Sequence, residues 1–148
     1  MDNNNHQDTL KEIRHQFLVY RNGMVADALK KAGYPYNLIY GLQLPQLNLI
    51  AKNLVSDYSL AMSLWQQKDV RESRLLSFFL FPKEEMTLDI ALSLINSLQT
   101  PEEADILNFK LLRFLPFAAE LAAIPDNQNN NPFFAYCLNQ LRHFLAQQ

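Results

Sequence analysis

Two pairs of basic side chains have a spacing that suits contact with phosphate groups. Arg71 and Arg74 lie three residues apart, and Lys110 and Arg113 repeat that spacing later in the chain. Residues three apart share one face of a helix, so each pair would present two cations together. If both helices line one groove, these four side chains could contact the phosphates of DNA. The alternative is a solvated helix face on which the charges pair within the helix.

The other reactive residue types do not form a recognisable catalytic or metal site. Cys137 is the single cysteine and has apolar neighbours, so its sequence context favours a buried small hydrophobe over a nucleophile. The three histidines are scattered and provide no metal-ligand spacing, so we expect no metal. No glycine-rich phosphate loop and no serine nucleophile elbow occurs, and we predict no cofactor.

Composition limits the classes of partner. The 148 residues are the size of one domain, and 49% of them are hydrophobic, enough for a substantial core. Because 13 basic and 15 acidic residues give a net charge of −2, any nucleic-acid site must be a local basic patch. The polar start is not a signal peptide, and no apolar run approaches the roughly 20 residues of a membrane span. With one cysteine and no disulfide framework, we expect a cytoplasmic protein that does not bind membranes.

The first third of the chain predicts a helix followed by a loop. Residues 1–8 are polar and are expected to form a disordered tail, with a single helical-repeat domain over 9–148. Ile13, Phe17 and Met24 belong to an apolar stripe at helical spacing, which Gly23 interrupts. Gly33 should end the helical region, and a tyrosine-rich loop follows over residues 34–44.

The stretch 60–82 reads as two short amphipathic helices joined by a tight turn at 66–69. Ser56 or Asp57 can cap the first of these helices. Asp69 opens the second, and Glu72 three residues later predicts a capping box with aspartate at the cap.

A looser copy of this hairpin follows at 90–116, offset by about 30 residues. Its second helix has a strong start signal in Thr100, Pro101 and Glu103, and should reach about Leu115. Repeats of this length are typical of stacked helical hairpins, and no alternating pattern indicates a sheet. The predicted fold is therefore all-α, a HEAT-like or ARM-like helical-repeat solenoid (an α-α superhelix) of about seven helices with a concave groove.

Two motifs resemble the AlkD-type DNA alkylation repair proteins. One is GLQLPQLNLIAK at 41–52, and the other is Leu64-Trp65 followed by Glu72-Ser73-Arg74; the resemblance covers roughly residues 9–115. It implies stacked HEAT-like repeats that hold duplex DNA in the groove. It also implies DNA glycosylase chemistry, which in active members removes positively charged alkylated purines. In this family motif, Arg74 has the alternative role of tying helices together through a carboxylate.

The resemblance gives one candidate catalytic residue. The family's active helix carries a tryptophan and, four residues later, an aspartate. One register places Ala104 and Asn108 at these positions, and the other places Pro101 and Asp105 there. The only tryptophan, Trp65, belongs to the other motif, so the resemblance implies Asp105 acting alone, with weak or no glycosylase activity. A carboxylate there would stabilise positive charge on the sugar, while the alternative is a first-turn acid favoured by the helix dipole.

Two functions follow from these patterns. The first is a DNA-binding protein related to alkylation repair, which contacts duplex DNA through the two basic pairs. The second is a protein-interaction scaffold whose groove holds a peptide or partner subunit, consistent with the near-neutral charge and the apolar segments 78–79 and 133–134. A basic concave face would favour DNA, and an acidic or apolar face would favour a protein partner.

Overall fold

The computed structural model describes the backbone of residues 2–148 and the side chains of residues 6–148. Within this range the chain forms helices and no strand, apart from one isolated parallel bridge between Leu38 and Val70. The described α-helices are α1 (Asp2–Tyr20), α2 (Gly23–Lys31), α3 (Leu44–Lys52), α4 (Tyr58–Trp65), α5 (Arg71–Leu80), α6 (Leu88–Asn96), α7 (Pro101–Lys110), α8 (Ala118–Ala122) and α9 (Phe134–Ala146). The predicted all-α class is confirmed.

The chain divides into two compact units, Met1–Leu80 (unit 1) and Phe81–Gln148 (unit 2), within the span that the sequence assigned to one domain. Helix α1 begins at Asp2, and the disordered tail over 1–8 stays a prediction. His6 nevertheless has partners in unit 1, since its imidazole lies 3.5 Å from the Asp57 carboxylate and 3.3 Å from the Ser59 hydroxyl.

The first helical region of unit 1 is split at residues 21–22. Asn22 caps α2 by accepting a hydrogen bond from the Val25 amide at 3.2 Å, so the chain changes direction just before Gly23. Ile13 and Phe17 are buried as the apolar stripe predicts, but Met24 is 85% exposed. The stripe fails at Met24 because its helical register ends with α1.

The second half of unit 1 contains the predicted hairpin. α4 and α3 both pack against α5. Asp57 caps α4 through the Leu60 amide at 2.8 Å, as expected. Helix α5 begins at Arg71, one residue later than a cap at Asp69 predicts, and every residue of it except Phe79 is buried.

Unit 2 is organised around α9. Both α7 and α6 pack against α9, and α6 and α7 do not form a close pair like α4 and α5. Thr100 caps α7 as predicted, through the Glu103 amide at 3.1 Å. Helix α7 ends at Lys110 rather than near Leu115, because Leu111 leaves helical geometry and a 3₁₀ turn follows over Leu112–Phe114. The second hairpin therefore packs differently from the first, and the helical-repeat solenoid stays a prediction.

Candidate functional site

Arg71 and Glu72 form a buried ion pair at the start of α5. The Arg71 guanidinium donates to the Glu72 carboxylate at 2.6 Å and to the Leu42 carbonyl at 2.8 Å. The two side chains are 4% and 0% exposed. The Arg71 charge is thus neutralised inside unit 1.

Glu72 also holds the loop that precedes α3. Its carboxylate accepts hydrogen bonds from the backbone amides of Tyr40 at 2.9 Å, Gly41 at 2.9 Å and Leu42 at 3.2 Å. We call Arg71 and Glu72, with the loop atoms they bind, the loop clamp. The predicted capping box with Asp69 is wrong, because the Glu72 side chain reaches the loop about 30 residues away in sequence instead of its own helix start.

Arg74 is buried against the only tryptophan. Its guanidinium lies 3.3 Å from the centroid of the Trp65 ring and donates to the Trp65 carbonyl at 3.0 Å. The side chain therefore ties α5 to the end of α4, through a ring face and a carbonyl. The predicted phosphate contacts of Arg71 and Arg74 do not fit this burial, since neither guanidinium presents its charge at the surface.

Asp105 is exposed on α7 and has a partner on α9. Its carboxylate accepts a hydrogen bond from the Tyr136 hydroxyl at 2.8 Å. That hydrogen bond, followed by burial and the charge of Asp105, raises the pKa of Tyr136. In the alternative register of the family resemblance, Asn108 takes the place of the catalytic aspartate. Asn108 is fully buried, and its side-chain amide donates to the Cys137 carbonyl at 3.0 Å. The catalytic role of Asp105 stays a prediction.

Lys110 and Arg113 lie together in a cluster of cations and phenylalanine rings, which we call the cationic–aromatic patch. The Arg113 guanidinium carbon lies 4.4 Å from the ring centroid of Phe109, 4.5 Å from that of Phe114 and 5.3 Å from that of Phe144. The patch consists of Lys83, Phe109, Lys110, Arg113, Phe114 and Phe144.

The two lysines extend the patch on either side of Arg113. The Lys110 ammonium lies 5.4 Å from the Phe109 centroid, and the Lys83 ammonium lies 4.9 Å from the Phe114 centroid. Burial, then the positive charges of Arg113 and Lys83, lower the pKa of Lys110. Such cation–π contacts orient charges beside a ring without neutralising them.

The break after α7 builds the patch. Leu111, Leu112 and Leu115 are buried, so the 3₁₀ turn is anchored to the core of unit 2 through its apolar side. The turn brings Arg113 back over the last turn of α7, where its Nε donates to the Phe109 carbonyl at 2.8 Å. The rings of Phe109 and Phe114 stay 37% and 51% exposed.

Two of the six patch residues, Lys110 and Arg113, are recognisable in the sequence as a basic pair. The spacing of Lys110 and Arg113 was visible, but Lys83 lies 27 residues before Lys110 and Phe144 lies 31 after Arg113. One local signal was available, since Phe109 and Arg113 are four residues apart, which places an arginine beside an aromatic ring on a helix face. An expected helix through residue 115 would instead have separated Phe109 from Phe114 on the helix surface.

Other features of the described residues give no second site of comparable chemistry. A cleft of about 340 Å³ in unit 2 is lined by side chains of α6, α9 and the 124–129 segment, which are apolar or carry amides. Among the described residues, no group of three or more His, Cys, Asp or Glu side chains is placed to hold a metal ion. Nor is any described helix both long and apolar enough to span a bilayer.

Comparison of the chain with protein-family models, with curated proteins and with solved structures found no match.

Proposed function

We propose that this chain is a helical-repeat protein that binds DNA through the cationic–aromatic patch, with weak or no glycosylase activity. The proposal rests on the concentration of the positive charges of unit 2 in this patch. Unit 2 holds four basic and eight acidic residues, yet three of its four cations are in the patch. Lys83 and Arg113 have no carboxylate partner among the described residues. Phosphate groups would supply the missing negative charge.

DNA is favoured among polyanions by the two motifs that resemble alkylation repair proteins. The helical-repeat part of the proposal is supported by the tightly packed α4–α5 hairpin, which contains the Leu64-Trp65 and Glu72-x-Arg74 motif. In this chain that motif lies in the buried interior of unit 1, and the DNA contacts belong to unit 2.

Low glycosylase activity follows from what surrounds Asp105. Breaking the bond to a cationic base requires a carboxylate for the charge on the sugar, and aromatic faces beside the base favour its binding. The Asp105 carboxylate already accepts a hydrogen bond from the Tyr136 hydroxyl. The position four residues before Asp105, where the family has its tryptophan, is Pro101 in this chain.

The decisive test is duplex-DNA binding by fluorescence anisotropy across a salt series. Three neutralised phosphates predict a slope of log affinity against log salt of about −2.7, since each contributes about −0.9. The triple variant Lys83→Gln, Lys110→Gln, Arg113→Gln should lose this binding.

A matched control makes the same charge change elsewhere. Lys30→Gln, Lys31→Gln, Lys52→Gln also removes three cations from the last turns of helices, in unit 1. Equal losses in the two triple variants would show that overall charge drives binding, and would refute the patch as the site. An excision assay on alkylated duplex should give little or no product, and any product that depends on the Asp105 carboxylate should be lost in Asp105→Asn.

A second candidate function is a protein-interaction scaffold. The observation in its favour is that two apolar side chains of unit 1 are exposed, Met24 at 85% and Val55 at 83%. A partner that binds the wild-type chain and is lost on Met24→Ser with Val55→Ser would support this function. Unchanged binding in that double variant would argue against it.

A further inference from the structure

We infer that the cationic–aromatic patch takes single-stranded DNA, with bases stacked on Phe109 and Phe114 and phosphates held by Lys83, Lys110 and Arg113. This inference rests on the proposed function and goes further by naming the form of DNA. It starts from the pairing of outward-facing rings with cations at one place in unit 2.

The exposed rings are what distinguish single strands from duplex. In a duplex the base faces are covered by their neighbours, and the surface offers mainly phosphates and groove edges. An unpaired strand exposes base faces, which stack on aromatic side chains regardless of sequence. Phe109 is 37% exposed and Phe114 is 51% exposed, so both rings are accessible to such a base.

Arg113 is held in an orientation that suits a bound strand. Its Nε is fixed on the Phe109 carbonyl at 2.8 Å, and its guanidinium lies beside both rings at 4.4 and 4.5 Å. Its Nη groups make no hydrogen bond to the described residues, so they remain available to a phosphate. A planar guanidinium binds phosphate through paired donors and also stacks on rings, which a lysine does not do.

The two flanking lysines add phosphate contacts on the same surface. The Lys83 and Lys110 ammonium groups lie 4.9 and 5.4 Å from the Phe114 and Phe109 ring centroids. The mutual repulsion of the three cations, which contributes to the lowered pKa of Lys110, would be relieved by an anionic strand. A strand that alternates phosphates with flat apolar bases therefore matches both kinds of group in the patch.

The test compares oligo-dT of about 12 nucleotides with a duplex of the same length, by fluorescence anisotropy on the full chain. We expect the single strand to bind at least tenfold more tightly. Its salt slope should be about −2, since each phosphate contributes about −0.7 in single strands. Phe109→Leu with Phe114→Leu should weaken the single-strand complex by about tenfold or more and leave duplex affinity unchanged.

The control for ring removal is Phe117→Leu, a half-buried phenylalanine of unit 2 outside the patch, which should leave both affinities unchanged. A readout that needs no variant is ultraviolet crosslinking of the wild-type chain to oligo-dT, with crosslinks expected at Phe109 or Phe114. Crosslinks that map only elsewhere would overturn the inference. Duplex binding as tight as single-strand binding would overturn it while leaving the proposed function intact. The absence of binding to either form would overturn both and favour a protein ligand.

Discussion

Replacing Glu72 by glutamine should strongly destabilise unit 1. The carboxylate is fully buried, accepts three backbone amides at 2.9, 2.9 and 3.2 Å, and pairs with Arg71 at 2.6 Å. Removing one member of a buried ion pair costs about 3–5 kcal/mol, because the other charge stays buried without its counter-charge. The new amide also places a donor against backbone donors, and each buried group left unsatisfied costs about 1–3 kcal/mol. This loss is large beside a total stability of about 5–15 kcal/mol.

Trp65 provides a selective assay for this prediction. It is the only tryptophan, is 5% exposed, and packs within unit 1, so its fluorescence in a urea titration reports on that unit. With a urea dependence of about 1–3 kcal/mol per molar, a loss of about 3–5 kcal/mol should lower the midpoint by about 1–5 M in Glu72→Gln. Glu84→Gln makes the same chemical change at an exposed position of unit 2 and should leave the Trp65 transition unmoved.

A double variant separates the ion pair from the backbone contacts. Arg71→Met in the Glu72→Gln background leaves no buried guanidinium unpaired, so the two changes together should cost less than the sum of the single losses. A Glu72→Gln midpoint equal to that of the wild-type chain would refute the loop clamp as a source of stability.

Three further predictions concern the backbone, the thiol and the Asp105 partner. Gly41→Ala should lower the urea midpoint far more than Gly33→Ala. Both glycines have φ near +90°, but only at Gly41 would the new Cβ collide with a backbone oxygen, that of Asn22; equal midpoints would contradict this. Cys137 should resist iodoacetamide until the chain unfolds, because burial raises its pKa to about 12, and rapid native alkylation detected by mass spectrometry would contradict this. The protonated thiol favours the folded state fully below pH 9.0, and this contribution should be lost as the pH rises toward 12; Cys137→Ala should remove that part of the alkaline destabilisation. Asp105→Asn should lower the pKa of Tyr136, which a spectroscopic tyrosine titration would detect as ionisation at lower pH, and an unchanged titration would contradict the contact.

The parts of the fold that depend on neighbouring residues could be predicted from sequence. The caps at Asp57 and Thr100 need only a side-chain oxygen and an amide three residues later, and both are present. The loop over residues 34–44 and the all-α class were likewise visible in local composition and periodicity. The two caps are decided within about one helical turn, whereas the loop is also held from a distance by Glu72.

Features decided by distant residues could not be predicted. Glu72 had the spacing of a capping box with Asp69, but its carboxylate binds amides about 30 residues earlier, which no local pattern encodes. Helix α7 ends at Lys110 because buried leucines after it pack into unit 2. That packing depends on α9, which follows much later in the chain.

The two basic pairs show why spacing alone does not identify a binding surface. Both pairs are three residues apart, yet Arg71 and Arg74 are 3% exposed while Lys110 and Arg113 lie in the surface patch. The difference comes from the partners of each pair. α5 is buried on nearly every side, so its arginines must be neutralised or stacked within unit 1, and Glu72 and Trp65 do this.

At the end of α7, the leucines between Lys110 and Arg113 occupy the buried side, so the cations remain outside with Phe109 and Phe114. A cation beside an exposed ring keeps its charge available, whereas a cation buried against a carboxylate does not. For this chain, the nature of the side chains touching each cation is therefore the better guide to a DNA-binding role. By that criterion the proposed DNA-binding surface lies in unit 2, despite the excess of acidic residues there.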